Sequence, residues 1–78
     1  MSHKTLDARR LLCPMPVIRT QNKIETMSAG DTLTVICTDP GASNDIPAWC
    51  RINGHKLLDI KTDEQQHEIL ITVEVGAA

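Results

Sequence analysis

The sequence predicts an α+β two-layer sandwich, a mixed four-stranded sheet with two helices on one face, in the order β-α-β-α-β-β. Three observations carry this. Thr32 to Thr38 alternates strictly, with Leu33, Val35 and Cys37 to one side and Thr34, Ile36 and Thr38 to the other. Two segments repeat apolar residues at helical spacing, each bounded by proline before and glycine after. A polar run, Thr62-Asp63-Glu64-Gln65-Gln66, joins two further alternating stretches as a hairpin loop. Alternation implies that one sheet face is wet, so both helices belong on the other.

In order, Lys4 to Ala8 reads as a short strand with Leu6 and Ala8 on one side and Thr5 and Asp7 on the other. Arg9 to Leu12 is a loop leading to Cys13. The first helix is expected from Pro14 to about Met27, with Val17, Ile24 and Met27 on one face, Thr20 between them, and Gly30 as its stop. The second strand ends at Asp39-Pro40-Gly41. The second helix is expected from Ala42 to about Asn53, with Ile46, Trp49 and Cys50 on its apolar face and Ser43 as a possible N-cap. Pro47 is tolerable only near its start. Lys56 to Lys61 and His67 to Val75 complete the strands. Strand–helix–strand connections imply right-handed crossovers and parallel pairing, and the hairpin an antiparallel strand.

A chain of 78 residues makes one domain, 1–78, and buries only a little over ~60% of its unfolded surface. With one Trp and no Phe or Tyr, the core rests on aliphatic side chains. A net charge of −2 and the near absence of rings disfavour direct nucleic-acid binding. No signal peptide or membrane-spanning stretch is visible, so the expected location is cytoplasmic. Three cysteines without a Cys-x-x-Cys pair do not make a disulfide framework.

Chemistry points to Cys13-Pro14-Met15-Pro16. A residue before proline is pushed out of the α region, and proline suits the first helical position. Cys13 is therefore expected at the N-cap, facing free amides and the positive end of the helix dipole. That dipole lowers a thiol pKa of ~8.5 by about 0.2–1.5 units, and Arg9, Arg10 and Arg19 are near enough in sequence to add to it. Met15 is expected on an apolar lip beside the sulfur or in the core. Cys37 and Cys50 read as packing residues. A metal site from Cys13, Cys37, Cys50 and His55 lacks the paired close spacing of zinc ligands, and no histidine stands where a base for Cys13 is needed. Asp39 follows the second strand as Cys13 follows the first, so both are expected at the same end of the sheet; Asp39 and Asp45 read as caps of the second helix, with partner docking the lesser alternative.

Leu6-Asp7-Ala8, Leu12-Cys13-Pro14-Met15-Pro16, Gly30-Asp31-Thr32-Leu33, Asp39-Pro40, Asp45-Ile46-Pro47 and Trp49-Cys50 together resemble the TusA (SirA) family of sulfur carrier proteins, over about Leu6 to Val75. The resemblance implies a fold similar to the C-terminal domain of a bacterial translation initiation factor. It also implies sulfane sulfur carried as a persulfide on Cys13, with Pro14, Met15 and Pro16 meeting what binds there. Sulfur would come from a cysteine desulfurase or a rhodanese and pass to a further relay protein, serving tRNA 2-thiouridine synthesis or sulfur oxidation. Some tRNA-pathway members have an acidic residue where this chain has Met15. No cofactor or metal is implied. A carrier that visits two partners is best served as a monomer. The alternative is a regulatory or redox module that docks on another protein without carrying sulfur.

Overall fold

The computed structural model describes residues 2–12 and 14–76. Its elements run β1 (His3–Ala8), α1 (Met15–Ile24), β2 (Thr32–Cys37), α2 (Ala42–Ile52), β3 (Lys56–Asp63) and β4 (Glu68–Glu74). They form one four-stranded sheet in the order β1-β2-β4-β3. β1 runs parallel to β2, with Ala8 beside Cys37. β4 is antiparallel to both β2 and β3. β3 therefore points the same way as β2 without touching it, because β4 lies between them.

The alternation read in β2 is what the packing uses. Leu33, Val35 and Cys37 are fully buried, as are Ile71 and Val73 beside them on β4. Ala8, Ile24, Ala42, Ile46, Cys50 and Val75 complete the core, and Trp49, Val17, Met27, Leu6, Leu11 and Ile69 pack on its margin. Each large aliphatic side chain buried this way contributes roughly 1.5–3 kcal/mol. The other face is polar. His3 Nδ1 lies 2.6 Å from Thr32 Oγ1, and Thr34 Oγ1 lies 3.0 Å from Thr72 Oγ1, a rail of polar groups across β1, β2 and β4.

Four local expectations shift. α1 ends at Ile24 rather than Met27, because Thr26 and Met27 donate to Lys23 and Ile24 in a tighter turn. The inward positions of α1 are Pro16, Thr20 and Ile24, with Val17 at the margin. The hydroxyl of Thr20 is satisfied by donating to the Pro16 carbonyl at 2.8 Å. Ser43 does not cap α2; Gly41 holds the cap position, and the Ser43 hydroxyl donates to the Pro40 carbonyl at 2.7 Å. β3 reaches Asp63 and carries a bulge at Leu58, which lies between the paired residues Leu57 and Asp59.

Candidate functional site

The turn after β1, Arg9 to Leu12, lies at the carboxyl end of the two parallel strands, where open α/β sheets place their functional groups. Three attachments hold it. The Leu11 N–H donates to the Ala8 carbonyl at 3.4 Å. The Arg10 N–H donates to Thr38 Oγ1 at 2.8 Å, tying the turn to the end of β2. The Arg9 guanidinium spans from Asp7, at 2.9 and 3.1 Å, to Glu68 at the start of β4, at 3.2 Å. Arg10 takes a left-handed conformation here (φ 65°), a sparsely populated region for a residue with a Cβ. An open hollow of about 490 Å³ lies beside the turn, lined by Arg9, Arg10, Thr38, Gln66 and Glu68.

These contacts assign Arg9 differently from the sequence reading. Its charge is taken up by two carboxylates, which leaves less of it for a thiolate. The hydrogen bonds from the Arg9 side chain and backbone hold the Asp7 carboxyl down at about 2.

Cys13 lies outside the described residues; both of its flanks are described. Leu12 is 75% exposed and Met15 36% exposed, and Ile18, one turn along α1 from Met15, is 40% exposed. Pro14 is also exposed. The approach to residue 13 is thus an apolar surface, and Met15 belongs to it rather than to the core. Pro16 is different: its ring is fully buried, beyond the reach of a partner. The sequence reading overlooked Leu12, whose exposure periodicity does not reveal in a loop.

The helix start also differs by one position. Pro14, expected as the first helical residue, is the N-cap (φ −94°, ψ 11°), and Met15 is the first helical residue. Pro14 and Pro16 have no N–H, and the Met15 N–H donates to the Leu12 carbonyl at 2.9 Å. The first turn therefore offers an anion fewer amides than expected, which weakens the pull of the helix terminus on it.

The other cysteines fit their packing role. Cys37 and Cys50 are fully buried, and burial pushes both thiols up to about 11, the Asp39 carboxylate adding to the effect at Cys37. At neutral pH they stay protonated and poor nucleophiles. Asp39 works at the entry to α2: its carboxylate accepts the Gly41 N–H at 3.1 Å and its carbonyl the Ala42 N–H at 3.0 Å. Among the described residues, no three His, Cys, Asp or Glu side chains converge as metal ligands. No described helix is long and apolar enough to cross a membrane.

The site belongs to a small α+β two-layer domain with an exposed loop-to-helix corner after its first strand, and comparison with known proteins places that domain in a family. The family model described as "Sulfurtransferase TusA" matches residues 4–73. The chain is 48% identical over 63 residues to a putative sulfur carrier protein, YrkI, of Bacillus subtilis, covering 81% of this chain and 83% of that one. It is 48% identical over 59 residues to a putative sulfur carrier protein of Neisseria meningitidis serogroup A, covering 76% and 80%. The crystal structure of a SirA-like protein from Desulfitobacterium hafniense superposes with a TM-score of 0.82 at 23% identity, covering 94% of this chain and 97% of that one, a likeness of fold. The chain belongs to the TusA family.

Proposed function

We propose that this protein is a cytoplasmic sulfur carrier that holds sulfane sulfur as a persulfide on Cys13 and passes it between sulfurtransferase partners. The observation that carries the reading is the exposed apolar surface of Leu12, Pro14, Met15 and Ile18 around residue 13. A carrier exchanges sulfur with a group held on another protein, so its own sulfur belongs on a surface that a partner can cover. Pro14 and Met15 meet the partner; Pro16, buried, anchors the start of α1 and so positions the residues before it.

Each half of the cycle is a displacement at sulfur. In loading, the Cys13 thiolate attacks the outer sulfur of a persulfide on a cysteine desulfurase or rhodanese. A bond forms between Cys13 Sγ and that sulfur, the donor's S–S bond breaks, and the donor cysteine leaves as a thiolate. In unloading, an acceptor thiolate on a downstream relay protein attacks the outer sulfur, and Cys13 leaves as a thiolate. The charge moves from attacker to leaving group, so no separate oxidant is needed. The helix dipole favours the anion that both halves use at Cys13.

Mass spectrometry after incubation with a desulfurase and cysteine tests this. The expected result is the mass of one added sulfur, lost in Cys13→Ser and kept in Cys37→Ser and Cys50→Ser. Sulfur found on Cys37 or Cys50 overturns the assignment. Full cellular activity of Cys13→Ser would instead favour a docking module that never carries sulfur.

A further inference from the structure

The sheet ends on one side at β3, the longest strand, with no strand beyond it among the described residues. Its apolar residues are only partly covered: Leu57 and Ile60 are each 38% exposed and Leu58 is 44% exposed. The opposite edge, β1, differs, because its inward residues Leu6 and Ala8 pack into or against the core. An open strand edge with exposed leucine and isoleucine is a pairing surface.

We propose that β3 pairs with β3 of a second copy of this chain, antiparallel about a two-fold axis at Ile60, joining two sheets into one of eight strands. The register follows from geometry. Directly opposed residues of an antiparallel pair share a sheet face, and a two-fold axis between two copies keeps each residue on its own face. The axis must therefore pass through a residue, not between two. Asp59, Lys61, Lys56 and Asp63 lie on the polar face, level with Thr72, Leu70, Glu74 and Glu68 of β4; Leu57, Ile60 and Thr62 lie on the helix face, level with Val73, Ile71 and Ile69.

With the axis at Ile60, each Asp59 stands opposite the other copy's Lys61. Allowing for the extra residue at the Leu58 bulge, each Lys56 stands opposite the other copy's Asp63. All four cross-strand charge contacts are of opposite sign. On the helix face the two Ile60 side chains meet, with each Leu57 opposite a Thr62. An axis at Asp59 sets aspartate against aspartate. One at Lys61 sets lysine against lysine and Asp59 against Asp63. One at Thr62 pairs Lys61 with Asp63 but puts Ile60 against Glu64 of the turn. Edge lysines and a bulge commonly keep sheet edges apart; here both lysines find carboxylates in the register that also covers Ile60.

Such a dimer departs from the monomer that a carrier visiting two partners suggests. It is compatible with carriage because β3 and β1 are opposite edges of the sheet, and the turn leading to Cys13 follows β1. Each copy keeps that corner free.

Sedimentation equilibrium of the full chain from micromolar to millimolar concentration tests the proposal. The expected result is a reversible monomer–dimer equilibrium, rising to twice the 8.6 kDa chain mass. Asp59→Lys places like charges opposite each other twice and should weaken dimerisation about tenfold. The swap of Asp59→Lys with Lys61→Asp should restore it, and Ile60→Lys should abolish it. These positions are exposed, and circular dichroism checks that each variant folds. A wild-type chain that stays monomeric at millimolar concentration overturns the proposal. So does a dimer indifferent to Asp59→Lys, or one that the double swap does not restore.

Discussion

Replacing Arg10 with glycine should make the fold more stable while removing a cation beside the proposed site. Arg10 sits at φ 65°, where a Cβ crowds the backbone at a cost of roughly 1–2 kcal/mol. Glycine carries no such cost but gives the unfolded chain more freedom, which returns about 0.5–1 kcal/mol. The hydrogen bond from N–H of residue 10 to Thr38 Oγ1 survives, since only the side chain changes. The net expected gain is about 0.5–1 kcal/mol, or a rise in Tm of roughly 2–8 °C for a domain of this size. Urea denaturation followed by Trp49 fluorescence, with a thermal melt beside it, measures both. Arg10→Ala is the control, because it removes the guanidinium and keeps the Cβ. If Arg10→Ala gains as much as Arg10→Gly, or if Arg10→Gly is destabilised, backbone strain at this turn is not the explanation. His67, at φ 54° in the β3–β4 turn, should respond to glycine in the same direction.

Introducing a carboxylate next to Cys13 with Met15→Glu should raise the Cys13 pKa by roughly 0.5 unit, from a Coulomb interaction of up to about 1 kcal/mol in water; alkylation rate against pH checks this. Leu33→Ala, at a fully buried position, should cost about 2.7–5 kcal/mol, read by denaturation. Alkaline pH should also destabilise the fold. The Cys37 and Cys50 thiols sit at about 11 when folded against 9.0 for an ordinary thiol, so the unfolded chain loses these protons first. Stability should be intact below pH 9 and fall progressively toward pH 11, with part of the slope lost in a Cys37→Ala, Cys50→Ala double variant.

The parts of the fold legible in the sequence are those written in periodicity. Leu33, Val35 and Cys37 alternate with Thr34 and Ile36, and that alternation alone places β2 on the core. Ile46 and Cys50 do the same for α2. The bulge at Leu58 is not visible in this way, because Lys56-Leu57-Leu58-Asp59-Ile60 alternates only once one leucine is set aside, and nothing local marks Leu58 as the extra residue. The burial of Pro16 was hidden for a related reason: a proline in a first turn is expected for its backbone, and nothing local shows that its ring faces inward. At the candidate site, the cysteine and its flanking prolines stand out by residue type. The brace from Arg9 to Glu68 does not, since its ends are 59 residues apart and meet only because β4 inserts next to β2.

The chain's one tryptophan provides an optical reporter. The indole of Trp49 lies stacked on the His55 ring, with centroids 5.3 Å apart, and His55 Nδ1 accepts the Gly76 N–H at 2.9 Å. Because a single chromophore of this kind is present, its emission can be assigned to one place without labelling. Replacing His55 with alanine removes both the stacked ring and the acceptor for Gly76, so the emission should report the release of the segment after β4 while far-ultraviolet circular dichroism stays unchanged.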